Sequence, residues 1–297
     1  TLNLNATTGD WRIVGGTLLG GTINTAAGGT LVPTSTTGVL DAMTIGGTGF
    51  TIPSGTDLTT RNGLTLASAT ITMGTAVAGH SQLYCSGTQT IGGTGEFVLV
   101  ESPGGWTRYF QGTTPAGTTT IGPNVTVRGT DGNFLAPSAS YAFVNQGTIR
   151  SEVAGGTILI DRMSNQGLLN AQGGTFDINN LNGNLGSVLV SAAGTLDLDG
   201  TYTVNQPVTV RDASTLTLRG TWVNSSSISM TNSTVNLGGA FSLTGLGSFS
   251  RTGGTVNLTG VLNLAGMTLN LNATTGDWRI VGGTLLGGTV NTAAGGT

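Results

Sequence analysis

A short motif recurs through the second half of the chain: threonine, an apolar residue, a variable residue and a second apolar residue. Successive copies begin about 20 residues apart, at Thr157, Thr175, Thr195, Thr215, Thr234 and Thr255. Apolar residues at every second position are typical of a β-strand with one buried face. A unit of about 20 residues cannot bury a core alone, so its recurrence indicates coils that stack on one another.

Each period also contains two further short apolar stretches, separated by Gly, Asn, Ser and Asp residues that favour turns. The sequence therefore predicts an all-β fold, a right-handed parallel β-helix (solenoid) with about three short strands per coil of roughly 20 residues. Alternation places equivalent apolar residues of successive coils inside, about 4.8 Å apart. We expect this interior ladder to contain Ile158, Phe176, Leu196, Leu216, Val235 and Val256.

Asparagine recurs between these motifs in the same rhythm. Its successive positions again lie about 20 residues apart, at Asn145, Asn165, Asn184, Asn205 and Asn224. An amide stacked on its copy can donate a hydrogen bond to one neighbour and accept one from the other. The spacing therefore predicts an asparagine ladder along the solenoid, and the alternative is that these residues only occupy tight turns.

The sequence at the start of the chain occurs again at its end. Residues 1–30 and 268–297 differ only at Ile23, which Val290 replaces, so they are two separate copies of one sequence. We interpret residues 1–267 as one full long repeat of a continuous β-solenoid and residues 268–297 as the start of the next identical repeat. The copied segment would then span the junction between repeats.

The charge of the chain excludes some classes of partner. Charged residues make up 8% of the chain, and the formal net charge is -3. Without a basic stripe, we expect no nucleic-acid partner. No apolar run reaches the roughly 20 residues of a membrane span, so we expect no membrane insertion in this segment.

Residues that usually carry catalytic chemistry are few. His80 and Cys85 are the single His and the single Cys, and about 16 Å of strand separates them, too far for a nucleophile and its base. Asp177 and Asp197 occupy equivalent outward positions, which would suit either a weakly held Ca²⁺ or a solvated face. The absence of Lys counts against a polysaccharide-cleaving enzyme. We expect no catalytic residue, no metal, no cofactor and no enzymatic activity.

The densest aromatic cluster lies in residues 101–117, where Pro and Gly residues favour a loop that leaves the coil. Exposed rings on such a loop could stack on a sugar ring or on a partner. The candidate binding residues are Trp106, Arg108, Tyr109 and Phe110.

Two patterns recur in the chain, GGT-apolar-x-apolar and NxG-x-apolar, and the resemblance that rests on them covers nearly the whole chain. In them the sequence resembles the parallel β-helix regions of large bacterial surface and secreted proteins, of the filamentous-haemagglutinin and autotransporter adhesin types. The resemblance implies a secreted, elongated and non-enzymatic protein, outside the cell or at its surface. It favours a structural repeat of a long extracellular fibre or adhesin shaft, whose partner is itself, along the axis and in lateral bundles. The alternative is a carbohydrate- or partner-binding module that uses the aromatic loop near residues 106–110.

Overall fold

The computed structural model describes residues 1–34 and 36–297. These residues form about 14 turns of a parallel β-solenoid with coils of roughly 20 residues, and 61% of the chain is strand. The predicted all-β parallel solenoid is confirmed. The described residues include one short helix, α1 (Leu243–Leu246), which Ser242 caps by accepting a hydrogen bond from the backbone of Gly245.

The chain divides into two compact units, and the first contains Thr1–Arg150 and Gly156–Arg162. The strands that begin in it are short, apart from three that extend through corners of the coil. They are β1 (Leu2–Leu4), β2 (Trp11–Ile13), β3 (Gly16–Leu19), β4 (Thr22–Thr25), β5 (Leu31–Pro33), β6 (Gly38–Gly46), β7 (Phe50–Ile52), β8 (Thr56–Met73), β9 (Ser81–Ser86), β10 (Gln89–Leu99), β11 (Arg108–Gly112), β12 (Ala116–Ile121), β13 (Asn124–Gly129), β14 (Gly132–Leu135), β15 (Ser140–Asn145), β16 (Thr148–Ser151) and β17 (Thr157–Asp161).

The second unit contains Ser151–Gly155 and Met163–Thr297. Its strands are β18 (Met163–Asn165), β19 (Leu168–Gln172), β20 (Thr175–Asn184), β21 (Ser187–Ser191), β22 (Thr195–Val204), β23 (Val208–Val210), β24 (Thr215–Leu218), β25 (Thr221–Asn224), β26 (Ser227–Thr231), β27 (Thr234–Leu237), β28 (Ala240–Ser242), β29 (Ser248–Thr252), β30 (Thr255–Leu258), β31 (Val261–Asn263), β32 (Thr268–Leu271), β33 (Trp278–Ile280), β34 (Thr284–Leu286) and β35 (Thr289–Thr292).

Corners of the coil are made by one or two residues in the left-handed backbone region. Within β8, Asn62 and Ser68 have φ angles of 58° and 53°, and short polar side chains are among those that tolerate this region. In the second unit Ala193 has φ 60°, and its N–H donates to the carbonyl of Asp212, in the equivalent turn of the next coil, over 2.9 Å. Stacked turns thus hold each other in a conformation that alanine rarely adopts alone.

The core of the first unit contains a stack of phenylalanine rings. Phe110 and Phe134 lie side by side in β11 and β14, with ring centroids 4.8 Å apart and planes 5° from parallel. Phe97 lies 5.2 Å from Phe110, and Phe143 lies 5.3 Å from Phe134, both edge to face. The stacked pair Phe110 and Phe134 has the spacing of neighbouring strands, and the edges of Phe97 and Phe143 extend this aromatic core.

Candidate functional site

The predicted interior ladder occupies one column of the second unit, where a column means residues at the same position of successive coils. Strand register places each of these residues directly beside the next, and all of them are fully buried: Phe176, Leu196, Leu216, Val235 and Val256. Ile158 lies in the first unit, where it is buried and pairs with Gly132. The interior alternation of each strand therefore continues from coil to coil within the second unit.

The asparagines expected to form a ladder do not share one column. Asn184 is exposed and lies beside Thr203, whereas Asn224 lies beside Val204. Asn205 follows Val204 and is half-buried. The predicted ladder is wrong here, because coils differ in length and equal spacing in sequence does not keep these residues in register.

The buried asparagines instead bind backbone groups at turns, as the alternative interpretation has it. Asn224 Nδ2 donates to the carbonyls of Leu246 and Ser248 over 2.9 and 3.0 Å. Asn165 Nδ2 donates to the carbonyl of Leu185 in the next coil. Asn145 Oδ1 accepts from the N–H of Gly147 over 3.1 Å. These amides satisfy turn groups that would otherwise be buried without partners.

A polar ladder does exist at the variable, outward position of the threonine motif, which the spacing of asparagines alone did not reveal. Asn257 Nδ2 donates to Asn236 Oδ1 over 2.8 Å, and Asn236 Nδ2 donates to Thr217 Oγ1 over 3.0 Å. In the first unit Asn24 Nδ2 donates to Asn3 Oδ1 over 3.0 Å. In the sequence, this ladder corresponds to the variable residue between the two apolar residues of each motif.

Two aspartates stand on the same column as this ladder. Asp177 lies beside Asp197, which binds Arg219 Nη2 over 2.5 Å. Burial raises the pKa of Asp197, and the charges of Asp177 and Asp199 add to the effect, while Arg219 opposes it. Among the described residues no group of three or more His, Cys, Asp or Glu side chains could hold a metal ion.

The predicted aromatic loop is wrong from Arg108 onward. Trp106 precedes β11 and is 39% exposed, but Arg108 and Phe110 are fully buried within that strand. β11 pairs with β9 and β14, so it continues the coil. The alternation of the strand puts Arg108 and Phe110 inside and Tyr109 outside, which the density of Pro and Gly before it concealed.

Arg108 is a clamp inside the solenoid. Its Nε donates to the carbonyl of Val100 over 3.0 Å, and its Nη1 donates to the carbonyl of Gly79 over 2.9 Å. Burial lowers the pKa of this guanidinium, while the charge of Asp131 acts in the opposite direction. Gly79 precedes His80, and Val100 precedes the segment that contains Trp106. By binding both carbonyls, Arg108 fixes the segments that carry His80 and Trp106.

At the surface of the first unit, the rings of Trp106 and Tyr109 both contact His80. The ring centroid of His80 is 4.6 Å from that of Trp106, edge to face, and 5.1 Å from that of Tyr109. His80 Nδ1 lies 3.3 Å from the carbonyl of Thr107. Tyr84 lies on β9, the strand that pairs with β11, and is half-buried. We call these four rings the aromatic surface: His80, Tyr84, Trp106 and Tyr109.

Polar side chains accompany the aromatic surface. Asp57, Gln82 and Tyr109 are neighbours on one outward column, and Tyr84 lies beside Gln111 on the next. Burial raises the pKa of Asp57, and the nearby His80 opposes this shift. Burial, followed by the charge of Asp57, raises the pKa of Tyr84. The surface thus combines flat rings with amides and one carboxylate.

Cys85 lies apart from this surface, in the core. It is fully buried, and burial raises the pKa of its thiol to about 12. His80 lies at the surface and contacts Trp106 and Tyr109. A thiol held protonated in the core has little nucleophilic character.

The two copies of the repeated segment fold alike. In both, the same strands pair in the same register, with Asn3 beside Asn24 and Asn270 beside Asn291. Thr30 Oγ1 donates to Asp10 over 2.7 Å, and the equivalent bond to Asp277 is 2.8 Å long. The local structure therefore follows from the copied sequence itself.

The neighbours of the two copies differ. Ile13 lies beside Pro33, from the following coil, and is 5% exposed. Its equivalent Ile280 lies beside Leu258, from the preceding coil, and is 61% exposed. One copy is thus covered by the coil after it and the other by the coil before it.

Within the described part of the chain, no helix has the length and apolar character needed to cross a membrane. No family model, no curated protein and no solved structure matches this chain.

Proposed function

We propose that this chain is a structural segment of a long extracellular β-solenoid fibre or adhesin shaft, in which copies of the long repeat, residues 1–267, follow one another. The observation that carries the proposal is the copied segment in its two settings. The first copy stacks its β2 under β5, and the second stacks its β33 on β30. The same segment therefore accepts a coil on either side.

Both sides of the segment can be occupied at once. A copy set between a preceding coil like residues 255–263 and a following coil like residues 31–52 has the pairings of both settings. The contrast between buried Ile13 and exposed Ile280 is a measure of the apolar surface that such a coil removes from water. Each coil would template the next, so the length of the shaft would follow from the number of copies.

The surface of the coils suits a fibre that also associates laterally. Charged residues are 8% of the chain, and the outward ladder of Thr217, Asn236 and Asn257 is uncharged. Faces with little charge repel each other weakly. Bundling of parallel shafts is therefore part of the proposal, and so is the absence of enzymatic activity, which the burial of Cys85 away from His80 supports.

The alternative, a binding module, can no longer rest on all four of the expected aromatic-loop residues. Of its four expected residues, Arg108 and Phe110 are buried, and only Trp106 and Tyr109 reach the surface. A binding role would then belong to a face on the shaft and not to a loop that leaves it.

Immunoelectron microscopy of the native source tests the fibre and its location together. Antibodies against residues 1–297 should label long uniform fibres outside the cell. Label on compact particles, or label confined to the cell interior, would overturn the proposal.

A further inference from the structure

We propose that the aromatic surface is a binding site for a neutral polysaccharide. Its rings belong to successive coils of the first unit, with Tyr84 on β9 and Tyr109 on β11, and Trp106 stands beside them. The flat apolar faces of pyranose rings pack on exposed aromatic rings, and hydroxyl groups bind amides and carboxylates. The site does not depend on the fibre proposal.

The rigidity of the surface supports a binding role. Trp106 lies two residues before the buried Arg108, which binds the carbonyl of Val100 at the start of this connection and the carbonyl of Gly79 beside His80. The edge of Trp106 also contacts His80. Side chains already fixed in place lose little conformational entropy when a ligand binds.

The charges of the surface select the class of glycan. The positive charge of Arg108 is buried and bound to backbone carbonyls, so it is not presented to a ligand. Of the polar side chains that accompany the rings, Asp57 is the carboxylate, and the His80 ring lies near it. A carboxylate without an exposed cation repels acidic polysaccharides and nucleic acids, whereas it accepts hydrogen bonds from neutral hydroxyls.

Polar groups at the spacing of the coils complete the site. Gln82 lies between Asp57 and Tyr109 on one column, and Gln111 lies beside Tyr84 on the next. Neighbouring coils are about 4.8 Å apart, so an extended glycan lying along the axis would meet a polar group or a ring at each coil.

Affinity electrophoresis of residues 1–297 tests the site. The gels contain a soluble neutral glucan, mannan or xylan, and polygalacturonate serves as the acidic probe. At least one neutral polysaccharide should retard the protein, and polygalacturonate should not. Retardation by none of the neutral polymers, or equal retardation by polygalacturonate, would overturn the proposal.

Variants locate the site on the surface. Trp106→Ala should weaken retardation about fivefold or more, whereas Trp106→Phe should keep part of it. Trp11→Ala is the matched control, because Trp11 is also exposed but lies outside the aromatic surface. Circular dichroism confirms that each variant is folded. An equal effect of Trp106→Ala and Trp11→Ala would place binding elsewhere and contradict the proposal.

Discussion

Gly74 lies directly against the guanidinium group of Arg108. A Cβ atom built on Gly74 would be 2.1 Å from Arg108 Nε, and the φ angle of Gly74 is +93°. The glycine therefore provides both the space for the buried arginine and a backbone conformation that other residues avoid. Because Arg108 holds the loops beside the aromatic surface, Gly74 supports that surface from the interior.

Replacing Gly74 by alanine should destabilise the protein by about 2–4 kcal/mol, because the new methyl group displaces a buried charge from its carbonyl partners. The matched control is Gly55→Ala. Gly55 has φ +82° but nothing within 4 Å of its added Cβ, so its cost should be about 1 kcal/mol. Urea denaturation measures both, and equal costs would show that Arg108 is not held by the packing described.

The outward polar ladder should contribute to stability. Asn236→Ala removes the hydrogen bonds that Asn236 makes to Thr217 and Asn257, and we expect a loss of about 1–2 kcal/mol. Asn184→Ala serves as the control, since Asn184 is exposed and outside the ladder. It should change the free energy of unfolding by less than about 0.5 kcal/mol. The reverse order of the two effects would contradict the ladder.

An ion pair on the first unit should make stability depend on pH. Arg128 binds Glu96 through two nitrogens, over 2.7 and 3.1 Å, and this bonding lowers the pKa of Glu96. Because the folded pKa is below the unfolded value of about 4.3, the stabilisation is present above that pH and is lost as the pH falls through the folded pKa. The pair is partly exposed, so its contribution should be under about 1 kcal/mol.

Thermal unfolding between about pH 7 and pH 2 measures this contribution. The difference between the wild type and Glu96→Gln should be largest near neutral pH and should vanish on acidification. Arg128→Gln should remove the same pH-dependent part. Variants that retain the full wild-type pH dependence would show that this pair does not contribute.

The two copies of the repeated segment should exchange amide hydrogens at different rates. β4 pairs with both β1 and β6, whereas β35 pairs with β32, so residues 289–292 should exchange faster than residues 22–25. The difference between Ile23 and Val290 allows mass spectrometry to distinguish the peptides.

A chain with residues 31–52 added after Thr297 should slow this exchange. The added residues would cover β35 as β6 covers β4 in the first copy. Exchange at residues 289–292 that stays fast in the extended chain would mean that the second copy does not accept the next coil.

The solenoid was predictable because its signal is periodic. The threonine motif fixes both the strand and its buried face, and the column from Phe176 to Val256 follows from it. The asparagine positions were not predictable, because small differences in coil length move Asn184 and Asn224 to different columns. Spacing along the chain identifies the coils, but it does not determine which residues of successive corners lie beside each other.

The candidate site was only half predictable. Pro and Gly residues before Trp106 indicated a loop, and the alternation that buries Arg108 and Phe110 begins immediately after it. Arginine is among the residues least often buried, so composition gave no reason to place Arg108 inside. His80 and Tyr84 join the aromatic surface only through coil stacking, which brings together residues that are far apart in sequence.

The length of the molecule as a function of copy number tests the central claim most directly. Small-angle X-ray scattering compares the chain of residues 1–297 with chains that carry one and two more copies of the long repeat. We predict that each copy adds roughly 12 or 13 coils, or about 60 Å of length, at an unchanged cross-section. A length that does not grow with each copy, or a cross-section that does, would contradict a continuous solenoid.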